Sequence, residues 1–159
     1  LSADSTQISY TAQRHFPVSG PRQWLYGAGF CTLGGGLPEA IGAALACPDK
    51  AVMAMAGDAG FLFTVQELAT AAELGLALPI LLWNNDGLGQ IKEGMENRGF
   101  TPTGVDAVNP DFIALALAFR CHAARPESAA ALRDALLAAF EADRPTLIEV
   151  REDDAWLAS

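Results

Sequence analysis

The feature that most constrains the fold is a set of short, continuously apolar runs that alternate with helical patterns. Residues 51–56 and 79–83 contain no charged side chain. Further strands are predicted at 121–124 and 146–150, and helices at 38–45, 64–75, 112–119 and 128–142. Strands that are apolar on both faces are typical of parallel sheets covered by helices. The sequence therefore predicts an α/β fold with a doubly wound, mostly parallel sheet.

Local signals predict where some helices begin. Asp4 or Ser5 can cap a first helix that runs to about His15. Residues 57–60 are predicted to form a turn. Thr64 and Glu67 have the spacing of a capping box, so the next helix is expected to begin at Thr64 and to end at Gly75.

The charge balance argues against two classes of partner. Ten basic residues face nineteen acidic ones, and the formal net charge is -9. Nucleic acid is not an expected partner, because binding a phosphate backbone needs a basic face. No membrane span is expected either, because no apolar stretch approaches the about 20 residues that cross a bilayer.

The length and the cysteines indicate a single cytoplasmic domain. The chain has 159 residues and no low-complexity linker, so one domain over residues 1–159 is expected. The three cysteines are widely spaced, without a C-x-x-C pair, which argues against a zinc site or a disulfide framework. We expect Cys31, Cys47 and Cys121 to be buried free thiols in the reducing cytoplasm.

Polar residues follow two predicted strands at the points where they end. Asp58 comes after the run 51–56, and Asn84 and Asn85 come after the run 79–83. Because ligands of open parallel sheets bind outside the carboxyl ends of the strands, these groups are expected to converge. A carboxylate and an amide oxygen, joined by a backbone carbonyl from the following loop, suit Mg²⁺, and a helix N-terminus beside them suits a diphosphate.

Two other classes of protein are weighed against this interpretation. A dinucleotide-binding domain would use Gly34-Gly35-Gly36, but no convincing long strand precedes these glycines and the third is misplaced. A phosphoacceptor receiver domain would use Asp58, but such a domain also needs an acidic cluster on an earlier strand and a lysine on a later strand. The predicted strands show neither. A thermal-shift comparison of three ligands, Mg²⁺ with a diphosphate compound, NAD and a phosphoryl donor, separates the three interpretations.

Longer stretches around these residues resemble the thiamin-diphosphate-dependent enzymes, in particular acetolactate synthases and 2-oxo acid decarboxylases. The family signature is Gly-Asp-Gly followed later by Asn-Asn; here it is Gly57-Asp58-Ala59 and Asn84-Asn85. Residues 33–43 resemble the Gly-rich segment of that family, and residues 66–71 the helix after the signature. The resemblance covers about residues 4–150. It implies the C-terminal, diphosphate-binding domain of a longer multidomain enzyme.

The resemblance also implies a set of site residues. The Mg²⁺ ligands would be Asp58, Asn85 and the carbonyl oxygen of Gly87. The other cofactor-binding residues would be Thr6, Gln7, Cys31, Leu33, Gly57, Ala59, Gly60, Leu88 and Gly89. The carbonyl of Cys31 would accept a hydrogen bond from the pyrimidine amino group, and Leu33 would hold the cofactor in a bent shape. Cys31 and Ala59 replace usual glycines, so both are expected to avoid a positive φ.

The implied reaction is decarboxylation of a 2-oxo acid, followed by protonation of the carbanion or its transfer to a second carbonyl compound. In the resembling enzymes a glutamate on a pyrimidine-binding domain, usually of a partner subunit, completes the site. No segment of this chain matches that domain. The isolated chain is therefore expected to contain no catalytic residue, to be inactive alone and to belong to a homo-oligomer.

The helix after Asn85 bears on the substrate. Pyruvate-decarboxylase-like enzymes have a catalytic glutamate at the position of Ile91, and biosynthetic acetolactate synthases have a tryptophan at the position of Gly94. An open pocket beside Glu93 and Glu96 would favour a long 2-oxo acid with a guanidinium or ammonium end. The alternative is that both glutamates lie on the solvated face of an ordinary helix.

Overall fold

Five parallel strands form a sheet in the computed structural model, which describes residues 1–158. The strands are β1 (Ser2–Ala3), β2 (Ala54–Gly57), β3 (Pro79–Asn84), β4 (His122–Ala124) and β5 (Thr146–Arg151). Their spatial order is β1-β2-β3-β5-β4, and each neighbouring pair is parallel. The predicted parallel α/β architecture is confirmed.

Helices cover both faces of the sheet. They are α1 (Gln7–His15), α2 (Gly36–Ala46), α3 (Asp58–Phe63), α4 (Glu67–Glu73), α5 (Gly89–Glu96), α6 (Phe112–Ala118) and α7 (Ala129–Phe140), followed by a 3₁₀ helix (Ala155–Ala158). α2 packs on β1, β2 and α4, and α6 packs on β4 and β5. α1 contacts β2, and α7 contacts β3 and β5. Among residues 1–158, no helix has the length and apolar character that spanning a membrane requires.

Alternate strand residues divide between the two faces. The main core joins Ile80 and Leu82 of β3 to Leu37, Phe61 and Phe112 of the helices, and all five are almost completely buried. The opposite face carries Met55, Leu81, Trp83 and Val150, which line a groove beside α1 and α7. This alternation is the two-residue period of a strand, and with helices on both faces it makes the sheet doubly wound.

Two predicted helix starts are wrong. The N-cap of α1 is Thr6, because the Asp4 carboxylate instead accepts hydrogen bonds from the backbone N–H of Gly34 and Ser5. Residues 58–60 do not form a turn, since α3 begins at Asp58. The predicted capping box at Thr64 is absent: the Thr64 hydroxyl donates to the Gly34 carbonyl (2.9 Å), and α4 begins only at Glu67.

The prediction of buried thiols holds for one cysteine only. All three cysteines are free, but Cys31 and Cys47 are exposed and only Cys121 is buried. Cys121 follows α6 and belongs to the main core, where burial raises the pKa of its thiol to about 11. Cys47 lies just past the end of α2, and Cys31 lies in the loop that leads to the Gly-rich segment.

Candidate functional site

The ends of β2 and β3 meet at one edge of the sheet. Gly57, the last residue of β2, pairs with Trp83 of β3, so Asp58 and Asn84 follow at the same level. Asp58 and Asn84 are both almost completely buried. One oxygen of Asp58, Oδ2, accepts from the backbone N–H of Gly87 (2.9 Å), which joins the two strand ends. The predicted convergence of these polar groups is therefore present.

Three oxygen atoms face one another at this point. Oδ1 of Asn85 lies 2.9 Å from the carbonyl oxygen of Gly87 and 3.3 Å from Oδ1 of Asp58. The other end of the Asn85 amide, Nδ2, donates to Oε1 of Gln7 (2.6 Å). Turning this amide over would pair Nδ2 with the two oxygens, but it would bring Oδ1 against Oε1 of Gln7. With Nδ2 of Asn85 bonded to Gln7, its Oδ1 faces two further acceptors, an arrangement that suits a cation.

The 2.9 Å spacing between the oxygens of Asn85 and Gly87 matches the requirement of Mg²⁺. Adjacent ligands in an octahedron with Mg–O distances of 2.0–2.1 Å are separated by about 2.9 Å. One carboxylate, one amide and one backbone carbonyl are the hard oxygen donors that this ion takes. Among residues 1–158, no group of three His, Cys, Asp or Glu side chains forms an alternative metal site. The residues present therefore fit the metal that the sequence predicted.

A cavity beside the oxygen cluster gathers residues from four parts of the chain. It is lined by Ser5, Thr6, Gln7, Tyr10, Leu33, Gly57, Asp58, Ala59, Gly60, Asn85, Gly87, Leu88, Gly89, Gln90 and Ile91. Eleven of the twelve predicted cofactor-binding residues are in this lining, together with Ile91. Cys31, Glu93 and Gly94 are outside it.

The electrostatics of the cavity suit an anion only when a cation is present. None of the described residues that line it is Lys, Arg or His. The first turns of α3 and α5 border the cavity, and the N–H groups of a first helical turn have no partner within their helix. These N–H groups suit phosphate oxygens, and a metal ion supplies the remaining positive charge.

Asp4 holds the Gly-rich segment against the cavity. Both oxygens of Asp4 accept from the N–H of Gly34 (2.9 and 3.1 Å), the residue after Leu33. Burial raises the pKa of Asp4, and the hydrogen bonds from Gly34 and Ser5 oppose that rise. The space is tight, since a Cβ on Gly60 would lie closer than 3.0 Å to Oδ2 of Asp4. Leu33 is thereby placed in the lining and is not part of the main core.

The two residues that replace family glycines differ in backbone conformation. Ala59 lies within α3, where a side chain is tolerated, so that expectation is confirmed. Cys31 has φ of 53°, so the expectation of a negative φ is wrong there. The loop forces this conformation, because the Cys31 N–H donates to the Gly27 carbonyl (2.7 Å) and its thiol donates to the Ala28 carbonyl (3.2 Å). The Cys31 carbonyl accepts from the Ser5 hydroxyl at 3.4 Å.

Sequence reasoning missed Asn109 at this site. Nδ2 of Asn109 donates to Oδ2 of Asp58 (2.6 Å) and to Oδ1 of Asn84 (3.0 Å). Residues 105–107 pair with residues 86–88, which brings Asn109 to the strand ends. In the sequence, Asn109 lies just before the predicted helix at 112–119, and no local pattern marks it as a site residue. The sequence analysis also missed the lining residues Ser5 and Gln90, which adjoin Thr6 and Gly89, and Tyr10, which lies three residues after Gln7 on α1.

The predicted substrate residues lie on α5 at the mouth of the cavity. Ile91 is about half exposed and lines the cavity. Glu93 and Glu96 are exposed, and Glu93 reaches the lining only through Gln90, whose Nε2 donates to Oε2 of Glu93 (3.4 Å). A Cβ on Gly94 would meet nothing within 4 Å.

Comparison with known families matches the same part of the chain. Residues 4–150 match the family described as thiamine pyrophosphate enzyme, C-terminal TPP binding domain. The chain belongs to this family. Thiamine pyrophosphate (TPP) is another name for thiamin diphosphate, so the cofactor of this domain is the predicted one, and Mg²⁺ is its usual partner metal.

Relatives of this TPP-binding domain are decarboxylases and acetolactate synthases. It is 45% identical over 152 residues to the probable 2-ketoarginine decarboxylase AruI of Pseudomonas aeruginosa, covering 95% of this chain and 27% of that protein. It is 37% identical over 157 residues to acetolactate synthase isozyme 1 large subunit of Escherichia coli, and the match covers 96% of this chain and 28% of that protein. Among solved structures, a thiamine diphosphate-dependent 4-hydroxybenzoylformate decarboxylase of Rhodococcus jostii matches with a TM-score of 0.84 and 32% identity. This match covers 94% of this chain and 28% of that one. The chain therefore spans about a quarter of the length of these relatives.

Proposed function

We propose that this TPP-binding domain holds Mg²⁺ through Asp58, Asn85 and the carbonyl oxygen of Gly87, and that the longer enzyme of which it is part decarboxylates a 2-oxo acid. The observation that carries the proposal is the set of three facing oxygens, two of them 2.9 Å apart. Bound TPP supplies an electron sink for breaking a carbon–carbon bond beside a carbonyl group. The protein supplies binding, orientation and exclusion of water.

Different residues of this chain would bind and orient the cofactor. Gly57, Ala59 and Gly60 would border the diphosphate with the N–H groups of the first turn of α3. Leu33, held through Gly34 by Asp4, would contact the cofactor, and the Cys31 carbonyl would accept a hydrogen bond from its pyrimidine amino group. Thr6 and Gln7 also line the cavity, and the hydrogen bond from Nδ2 of Asn85 to Oε1 of Gln7 keeps the Asn85 amide oxygen turned towards the proposed metal site. Leu88 and Gly89 close the cavity at the start of α5.

The metal assignment is tested by Asp58→Ala in the complete enzyme. Asp58 is the only charged ligand of the three, so its loss should abolish Mg²⁺-dependent binding of TPP, measured by isothermal titration. Asp134→Ala removes the same charge from the exposed face of α7, where the side chain is 74% exposed, and serves as the matched control. Equal TPP affinities for wild type and Asp58→Ala would sink the assignment.

For the substrate we propose a long 2-oxo acid with a guanidinium end. The 45% identity to a probable 2-ketoarginine decarboxylase supports this class. The acidic surface of α5 also supports it, since Glu93 contacts Gln90 of the cavity lining. A charge-assisted hydrogen bond contributes about 1.5–3 kcal/mol, so its loss should lower the specificity constant about tenfold or more.

Kinetics of the complete enzyme test the substrate class. Wild type should prefer a guanidino 2-oxo acid to pyruvate, and Glu93→Gln should lower kcat/KM for the guanidino acid alone. Glu96→Gln, the same change one turn further along α5, is the control. A preference for pyruvate that Glu93→Gln leaves unchanged would refute the cationic substrate.

Carboligation is the second candidate reaction. It is favoured by the 37% identity to acetolactate synthase isozyme 1 large subunit of Escherichia coli. Product analysis with pyruvate separates the two reactions, because a carboligase forms acetolactate whereas a decarboxylase releases the aldehyde.

The proposed enzyme also needs a second domain. We propose that this single domain is completed by a pyrimidine-binding domain of a partner subunit in a cytoplasmic homo-oligomer, and that this domain brings the catalytic glutamate. Exposed apolar side chains on the loop before Leu33, at the end of α3 and on α5 are consistent with such a contact; they are Phe30, Phe63 and Ile91. Turnover of a 2-oxo acid by the 159-residue chain alone would refute this proposal.

A further inference from the structure

A buried carboxylate lies one strand away from the proposed metal ligands. Glu149 of β5 is 1% exposed. Its Oε1 accepts from Nδ2 of Asn84 (2.7 Å), and its Oε2 accepts from Nε of Arg125 (3.2 Å). Burying a charge is costly unless it is paired and hydrogen-bonded. The ion pair with Arg125, whose side chain is 48% exposed, compensates the buried charge of Glu149. It does not explain why Glu149 also accepts a hydrogen bond from Asn84.

The bond from Asn84 determines which way its amide points. A carboxylate only accepts hydrogen bonds, so Asn84 must present Nδ2 to Glu149 and Oδ1 to the other side. There Oδ1 accepts from the backbone N–H of Asp86 (3.1 Å) and from Nδ2 of Asn109 (3.0 Å). If the Asn84 amide turned over, its Nδ2 would face both of these donors.

The two donors to Oδ1 of Asn84 are each next to a proposed metal ligand, one through a hydrogen bond and one along the chain. Asn109 donates to Oδ2 of Asp58, leaving Oδ1 of Asp58 to face the oxygen of Asn85. The N–H of Asp86 belongs to the loop between Asn85 and Gly87, and Asp86 has φ of 54°. A loop with a residue in this conformation needs outside contacts to hold it. The bond to Asn84 Oδ1 is one such contact.

We propose that Glu149 is a positioning residue: through Asn84 and Asn109 it orients Asp58 and the 85–87 loop for binding the metal ion. This rests on the proposed metal ligands. Glu149 acts as a hydrogen-bond acceptor for Asn84, and Arg125 serves to pair its buried charge.

Substitutions at Glu149 separate the acceptor from the charge. Glu149→Met removes the acceptor with a side chain of similar length, and Arg125, whose side chain is 48% exposed, can turn its charge to solvent when this partner is lost. It frees the Asn84 amide and should weaken metal binding about tenfold, the lower end of the effect of outer-shell partners. Glu149→Gln keeps an oxygen for Asn84 while the half-exposed Arg125 turns to solvent, and it should stay within threefold of wild type.

Two further variants complete the set. Arg125→Met leaves the acceptor in place, so the enzyme should lose thermal stability but bind the metal within threefold of wild type. Glu141→Gln, at the exposed C-terminal end of α7, controls for the loss of one negative charge.

The measurement is the Mn²⁺ dissociation constant of the complete enzyme with saturating TPP, from the electron paramagnetic resonance signal of free Mn²⁺. Melting is followed by circular dichroism. The inference is overturned if Glu149→Met binds Mn²⁺ within twofold of wild type, or if Glu149→Gln is as weak as Glu149→Met. Should Glu149→Met fail to fold, Asn109→Ala decides: about tenfold weaker binding supports the chain of contacts, and binding within twofold of wild type overturns it.

Asp58→Ala distinguishes failure of the inference from failure of the proposed function. If wild type and Asp58→Ala bind Mn²⁺ equally, the metal site itself is misassigned. If Asp58→Ala alone loses binding while Glu149→Met and Asn109→Ala keep it, the metal site stands and only the positioning role of Glu149 is refuted.

Discussion

Adding a single methyl group at Gly89 should separate metal affinity from fold stability. A Cβ at Gly89 would lie closer than 3.0 Å to Nδ2 of Asn85 and 3.2 Å from Oε1 of Gln7. Both are ends of side chains, so the backbone is not obstructed. Since normal contacts begin at about 3.5 Å, the Asn85 amide must move by roughly 1 Å in Gly89→Ala.

A shift of that size is incompatible with binding Mg²⁺ through Asn85. Mg²⁺ requires ligands at about 2.0–2.1 Å in near-ideal octahedral geometry, so Oδ1 of Asn85 would no longer reach the metal ion in its proposed site. Displacing this group should weaken Mg²⁺-dependent TPP binding about 10–100-fold, or about 1.4–2.8 kcal/mol. The melting temperature should not fall, because alanine is a better helix former than glycine.

Gly94→Ala is the matched control on the same helix. A Cβ at Gly94 would meet nothing within 4 Å, so this change should stabilise the fold by up to about 1 kcal/mol and leave Mg²⁺ affinity unchanged. Isothermal titration of TPP at several Mg²⁺ concentrations, with thermal melts of the apoenzyme, measures both quantities. The reasoning is refuted if Gly89→Ala binds as tightly as Gly94→Ala, or if it loses affinity only because it unfolds.

Two further predictions concern the cysteines. Cys31→Gly should raise stability by about 0.5–1 kcal/mol in denaturant titrations, because glycine adopts a φ of 53° without the cost that a side chain incurs, whereas Cys47→Gly at φ of -136° should lower it. A loss of stability in Cys31→Gly would contradict the assigned strain. Burial raises the pKa of the Cys121 thiol to about 11, so the reactive thiolate should appear only as the pH approaches that value. Peptide-resolved alkylation at pH 8 should therefore spare Cys121 in the native enzyme, and equal rates before and after denaturation would refute its burial.

The sequence by itself determined the sheet and the two strand ends that form the candidate site. Apolar runs at residues 51–56 and 79–83 can be buried on both faces only within a covered parallel sheet. The polar residues Asp58 and Asn85 directly follow these runs, and parallel strands bring such positions to one edge. The family resemblance then supplied the cofactor and most of the cavity lining.

Only the tertiary structure decided how these groups are oriented. Asn109 reaches Asp58 across a separation of 51 residues, and Gln7 reaches Asn85 across 78. The Asp4 carboxylate accepts a hydrogen bond from Gly34 of the Gly-rich segment instead of capping α1. Cys31 has a positive φ because its N–H bonds to the Gly27 carbonyl within the loop. Local sequence patterns report burial and backbone preference over a few residues, whereas the direction of an amide or a carboxylate depends on partners that packing brings from distant parts of the chain.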